Sequence, residues 1–305
     1  MYNLCTAGNK YTKHEAEQMI TNHSQYEYPT MYHIVNENRK EMHQKIYDSD
    51  AIVFHEWLGV PGNMKLDTSK IKNKILALAY GGAGFRNARI RASGREYYRK
   101  IADNFIYIAC SADFLLAEKE NAWVPRCVRT EELRQTYDYS KLNPPLISAS
   151  PSRGSDMVRV RHGLISEHFR EIAESMKQKG FRLQARHIGG HKKTVPNDVC
   201  LRMKAPSSIF FDRLYLIYGV NSLEADAFES AVVTGTAPHA LNAIKARLGI
   251  PCPYVIVNSW GEAQMAIENL LNDPKTMRAK GLACYNYSKK IEEYAANSLV
   301  KALGG

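Results

Sequence analysis

Glu224 stands five residues after a glycine and just inside a helical pattern, a spacing that could hold a phosphorylated ligand bearing hydroxyl groups. The surrounding stretch, IFFDRLYLIYGVNSLEADAFESAVVTGTAP (209–238), reads as strand, turn, helix, strand. The first strand ends in Asp212 and the turn carries Gly219. Asn221, Ser222 and Glu224 open the helix, with Leu223, Ala227 and Phe228 on one face. A helix that starts in a crevice between parallel strands offers free backbone N–H groups and the positive end of its dipole, which suits a phosphate. A glutamate in the first turn can reach past the phosphates to a hydroxyl pair. Asp212 reads as the residue that orders the turn. An ordinary βαβ unit with a solvated glutamate would give the same pattern.

Ser152 and Arg153 follow the apolar run LISAS (146–150). A guanidinium pairs bidentately with phosphate, and Arg159 or Arg161 would supply a second cation. His55 and Glu56 end the apolar run AIVF, where an α/β domain presents groups to a ligand. Either could take a proton from a hydroxyl or steady a developing positive charge. A half-buried histidine bonded to backbone is the other reading. The loop YGGAGFRN (80–87) brings Arg86 to the end of another apolar run, or is only a tight turn. No metal cluster stands out: His187 and His191 are separated by glycines at 189 and 190, so they do not form a helical ligand pair. GGAG has neither the spacing nor the lysine of a phosphate-binding loop.

Elements that could position these groups alternate along the chain. In the first half the patterns predict a strand over YNLCTAG (2–8), a helix over 13–23, a strand over MYHIV (31–35) and an Asn-capped helix over 36–50. Strands over AIVFHEW (51–57), KILALAY (74–80) and FIYIAC (105–110) follow, with a helix over 93–103. Asn143-Pro144-Pro145 marks a hinge. The second half opens with the strand LISAS and the amphipathic helix 162–180, which Gly180 should stop. A strand and turn over 181–190, the segment 209–238, a helix around 239–248, the strand YVIV (254–257) and helices from about 261 complete it. Such alternation predicts two mostly parallel, doubly wound sheets.

A length of 305 residues and 45% apolar content allow two cores. The start MYNLCTAGNKYTKHE lacks a basic region followed by a long apolar one, and no run is long enough to span a membrane, which predicts a cytoplasmic protein. The six cysteines are scattered with no close pair, as expected of reduced, buried thiols. The net charge is +10, with the densest cluster at Arg86, Arg89, Arg91, Arg95, Arg99 and Lys100. A basic surface attracts polyanions, though many enzymes are basic without such a partner.

The segment 209–238 resembles the C-terminal, donor-binding half of GT-B glycosyltransferases of the "group 1" type, where an aspartate strand leads into a glycine turn, a helix with an early Glu and a short strand like Ala231-Val232-Val233. SADFLL (111–116), NAWVPRCV (121–128), PLISASPSR (145–153) and LLNDPKTMRAKGLACYNY (270–287) resemble further pieces of that family in the same order. The resemblance implies an α/β protein of GT-B architecture, two Rossmann-like doubly wound lobes facing a central cleft. The lobes would span 1–143 and 144–285, with a helix over 286–305 crossing back to the first. It implies a nucleotide-sugar as donor substrate, UDP being the commonest nucleotide, and no permanently bound cofactor. Ser152, Arg153, Gly219, Asn221, Ser222 and Glu224 would hold the donor, and His55 and Glu56 would serve catalysis. Two departures stand out. The loop at 80–87 lacks the family's histidine, and Leu216 occupies the place of a second glutamate found in some relatives. The favoured acceptor is a hydroxymethylated base in double-stranded DNA, as in bacteriophage DNA glycosyltransferases, bound through Arg86, Arg89 and Arg91. The alternatives are a surface-glycan or lipid-linked acceptor, a sugar-nucleotide epimerase on the same fold, and a non-catalytic binder.

Overall fold

The computed structural model describes residues 2–17, 19–20, 32–33, 37–55, 66–80, 105–111, 122–149, 165–188, 195–214, 219–236 and 238–304. They fall into two compact units. One comprises the described residues up to Arg126 together with 293–304, and the other runs from Cys127 to Glu292. The stretch 127–143, placed in the first lobe by the punctuation at Asn143-Pro144-Pro145, groups with the second unit.

In the first unit a parallel sheet of four strands runs in sequence order: β3 (Ala51–His55), β4 (Ile75–Tyr80), β5 (Phe105–Ala109) and β6 (Ala122–Trp123). Leu76, Ala77, Leu78 and Ala79 are all buried, as befits a strand covered on both faces. Helix α2 (Arg39–Asp48) turns Met42 and Ile46, four residues apart, inward. Asn38 precedes it but makes no capping bond with its side chain.

The N-terminal elements differ from their sequence pattern. YNLCTAG lies in a helix, α1 (Tyr2–Tyr11), with Cys5 and Ala7 buried. An apolar run this short carries no period that separates strand from helix. The stretch 13–23 is not a helix where it is described. Asn9 bonds both backbone groups of Ala16, accepting from its N–H at 2.7 Å and donating to its carbonyl at 3.1 Å. That clamp takes the chain out of helical geometry, and Met19–Ile20 becomes β1, paired in parallel with β2 (Tyr32–His33).

The second unit is built on a five-stranded, all-parallel sheet. Its strands are β7 (Leu146–Ala149), β8 (Gln184–His187), β9 (Ser207–Phe211), β10 (Ala231–Thr234) and β11 (Val255–Ile256). Across the sheet they lie in the order β11-β10-β9-β7-β8, the doubly wound order 2-1-3-4-5 counted within the unit. β9 is buried along its whole length, and the Ser148 and Ser207 hydroxyls meet at 2.5 Å across β7 and β9.

Helix α4 (Ile165–Gln178) and helix α8 (Trp260–Asn272), which follows α7 (Pro238–Leu248) in the chain, bury Phe169, Ile172 and Met176, and Ala263, Ile267 and Leu270, in one core with Ile147, Ile209, Phe211 and Val233. Gly180 ends α4 as its sequence predicts. It sits at φ +88, donates to the Lys177 carbonyl at 2.9 Å, and the Phe181 N–H donates to the Met176 carbonyl at 3.1 Å. Gly180→Ala is expected to cost about 1 kcal/mol in a denaturant melt, because a Cβ strains this backbone conformation. An unchanged midpoint would show that the turn relaxes freely.

The C-terminal helix is longer than its amphipathic half indicates. α9 is continuous over Pro274–Ala302, 29 residues. Its residues to Glu292 belong to the second unit and those from Glu293 to the first. Ile291, Ala295 and Leu299 are buried, and Tyr294 packs on Trp123 with ring centroids 5.4 Å apart. No described helix is long and apolar enough to cross a membrane.

Candidate functional site

The order 2-1-3-4-5 reverses direction between β7 and β9. Ligands of such sheets bind beyond the carboxyl ends of the strands at that point. Ala149, the last residue of β7, pairs with Phe211, the last of β9, so Asp212 leaves the sheet at the switch point.

Asp212 is 1% exposed and organises the turn beyond β9. Its Oδ2 accepts the Gly219 N–H at 3.2 Å and the Ser222 hydroxyl at 2.7 Å, and its Oδ1 faces Arg213 Nη2 at 3.3 Å. The carboxylate therefore fastens the start of helix α6 (Val220–Ala227) to the end of β9. Gly219 is the N-cap residue. Ser222 N–H donates to the Gly219 carbonyl at 3.1 Å, while Val220 and Asn221, the first two helical positions, have no acceptor within the helix for their N–H groups. Gly235 braces the same corner. Its N–H donates to the Arg213 carbonyl at 2.5 Å, and a Cβ there would lie 2.1 Å from the Leu214 carbonyl oxygen, so only glycine fits.

Helix α6 is not the amphipathic element its pattern predicts. Every residue from Ser222 to Ala227 is buried, because β9, β10, α3 (Thr130–Thr136) and α5 (Asn197–Lys204) pack around it. Each polar side chain on it has consequently found a partner. Ser222 holds Asp212. Asp226 accepts from the Tyr254 hydroxyl at 2.5 Å, and burial pushes its carboxyl well above the usual range. Glu224, 5% exposed, forms an ion pair with Lys204, itself 1% exposed. Lys204 also donates to Asn221 Oδ1 at 2.7 Å and lies over the Phe210 ring, 5.7 Å from its centroid. The glutamate that an ordinary βαβ unit would leave in water is thus a buried one. Nothing in the sequence pointed to Lys204, which reads as a basic residue closing a short helix ahead of an apolar strand.

A second internal lysine closes the other end of α6. Lys141 donates to the carbonyls of Ser207 and Phe228, each at 2.5 Å, and of Ala205 at 3.4 Å. These bonds tie the first residue of β9 to the C-cap of the helix.

Of the residues read from the sequence as site candidates, Gly219, Asn221, Ser222 and Glu224 come together at α6. Ser222 has a different task from the one its position indicated: its hydroxyl is committed to Asp212 and its residue is fully buried. His55 is the last residue of β3. Glu56, Arg86, Arg89, Arg91, Ser152 and Arg153 lie outside the described residues. Among the described residues no group of His, Cys, Asp and Glu is placed to hold a metal ion.

No family model matches the sequence, and no curated protein matches it. Solved structures share its fold. One is a protein from Listeria monocytogenes assigned as a UDP-N-acetylglucosamine 2-epimerase, 16% identical, with a TM-score of 0.52 over 99% of this chain and 91% of that one. Another is MnaA from S. aureus, solved with UDP, 12% identical, with a TM-score of 0.52 over 98% of this chain and 91% of that one. At these identities the likeness is one of fold. The chain is an α/β protein of the GT-B class, with two Rossmann-like units carrying parallel sheets.

Proposed function

We propose that the second unit binds a nucleotide-sugar, specifically a UDP-sugar, and that the chain transfers the sugar to a hydroxyl acceptor. The observation that carries the reading is the Asp212-held turn, which sets the start of α6, with Asn221 and Glu224, beyond the carboxyl end of β9 at the switch point. In this reading the N–H groups of Val220 and Asn221 receive a phosphate, Glu224 meets the ribose, and Arg153 neutralises the diphosphate. Transfer forms a bond from the acceptor oxygen to the anomeric carbon and breaks the bond to the phosphate oxygen. The acceptor proton leaves to a base, for which His55 and Glu56 are the candidates, and UDP departs with the bonding electrons. Stabilising that leaving charge is the main electrostatic demand of the step. Arg86, Arg89 and Arg91 remain the candidates for holding the acceptor.

Likeness in fold to the Listeria protein over nearly the whole chain favours a second reading, epimerisation of the UDP-sugar. NMR of UDP-N-acetylglucosamine incubated with the protein separates the two. An epimerase builds up a second intact UDP-sugar inverted at C2. A transferase releases UDP and, with an acceptor present, a glycosylated product. Absence of binding and turnover would remove both. Arg153→Ala and Glu224→Ala are each expected to weaken UDP binding by about 1–3 kcal/mol, the scale of a lost charge-assisted hydrogen bond. Wild-type affinity in both variants, measured by calorimetry, would place the nucleotide elsewhere.

A further inference from the structure

We infer that Lys204 is a positioning residue that sets the polarity of the α6 nucleotide site and, through Glu224, its preference for ribose over deoxyribose; this rests on the donor reading above. The ammonium is buried at the end of α5 and touches two of the candidate ligand-binding side chains at once, Glu224 and Asn221. Lysine has only donors to offer. Asn221 must therefore turn its amide oxygen toward Lys204, and the two N–H donors of its amide are what remain for a ligand, which suits an anion. Glu224 is held by the same ammonium as an acceptor, which suits hydroxyl donors. A single internal cation thus orients a donor for phosphate and an acceptor for a hydroxyl pair, three residues apart on one helix. Holding both side chains in one rotamer also lowers the ordering cost of binding. The Lys204 ammonium is committed to Glu224 and Asn221, so its influence on a ligand passes through the two side chains it holds.

The test compares the affinities of UDP and 2′-deoxy-UDP for the full chain and its variants. Wild type is expected to prefer UDP by about tenfold or more, one hydrogen bond to a charged group. Glu224→Gln and Lys204→Met should each bring that ratio close to one, and the double variant should go no further, because Lys204 acts through Glu224. Lys204→Gln, which keeps N–H donors in the same space, should fall between wild type and Lys204→Met, and it carries the readout if the methionine variant does not fold. A general loss of stability would weaken both nucleotides alike and leave the ratio intact. If Glu224→Gln abolishes the preference while both Lys204 variants keep it, the donor reading stands and this inference is overturned. If Glu224→Gln itself keeps the wild-type ratio, the ribose contact is misplaced and the inference falls with it.

Discussion

Asp212→Ala is expected to lower the stability of the second unit by about 3–5 kcal/mol and to weaken UDP binding by about 100-fold or more. The carboxylate is buried and holds a backbone N–H, a hydroxyl and a guanidinium. Removing it leaves the Ser222 hydroxyl, which is fully buried, without its acceptor, and frees the N-cap Gly219 from β9. The start of α6 would then no longer be held at the switch point, so binding should suffer beyond the loss of any one contact. Asp212→Asn can keep an oxygen where Oδ2 accepts from both Gly219 and Ser222 but sets an amide N–H against the Arg213 guanidinium, and should fall roughly midway. Urea denaturation and titration with UDP check both quantities. Lowered stability with wild-type affinity would mean that the nucleotide does not use this helix start.

Lys141→Met should destabilise the second unit by about 2–5 kcal/mol, because the carbonyls of Ala205 and Phe228 lose their bond to this amine inside the protein. The Ser207 carbonyl keeps a partner in the Ser230 hydroxyl at 2.8 Å, which limits the loss. The substitution should also change the pH dependence. Desolvation outweighs the attraction of Glu229 and pushes the Lys141 amine down to about 7 from its ordinary 10.5. The folded value lies below the unfolded one, so between about 7 and 10.5 the unfolded chain binds a proton that the folded chain does not. Wild-type stability therefore gains as pH rises from about 7, relative to Lys141→Met, and below that pH the full penalty of the buried charge applies. Denaturation of both proteins at about pH 6.5 and about pH 9, on either side of the folded value, measures the difference. A gap between them that is independent of pH would show that the amine stays charged, satisfied by its carbonyls.

The strand-turn-helix-strand pattern at 209–238 was legible because each element carries a local signal. A wholly apolar run makes a central parallel strand, glycine makes the turn, and the second apolar run pairs beside the first. The stop at Gly180 was legible for the same reason, since a left-handed residue after an amphipathic helix is a local requirement. The role of Asp212 could be read from its place at the strand end. The N-terminus was misread because YNLCTAG is too short to show a period and because a side chain, Asn9, redirects the chain at Ala16.

Residue types and spacing by themselves determined that this chain makes alternating strands and helices, parallel sheets and a helix that follows a central strand after a glycine. These depend on periods of a few residues and on turn chemistry. Only the tertiary structure decided that α6 is buried from Ser222 to Ala227, that Ser222 serves Asp212, and that Glu224 and Asn221 share the ammonium of Lys204. Lys204 lies twenty residues before Glu224, and Lys141 lies eighty-seven before Phe228. No local pattern marks a lysine that will be buried, because its burial is set by which distant carboxylates and carbonyls the fold brings within reach of its ammonium. Removing a charge from water is tolerated only when such partners arrive together, and that is a property of packing.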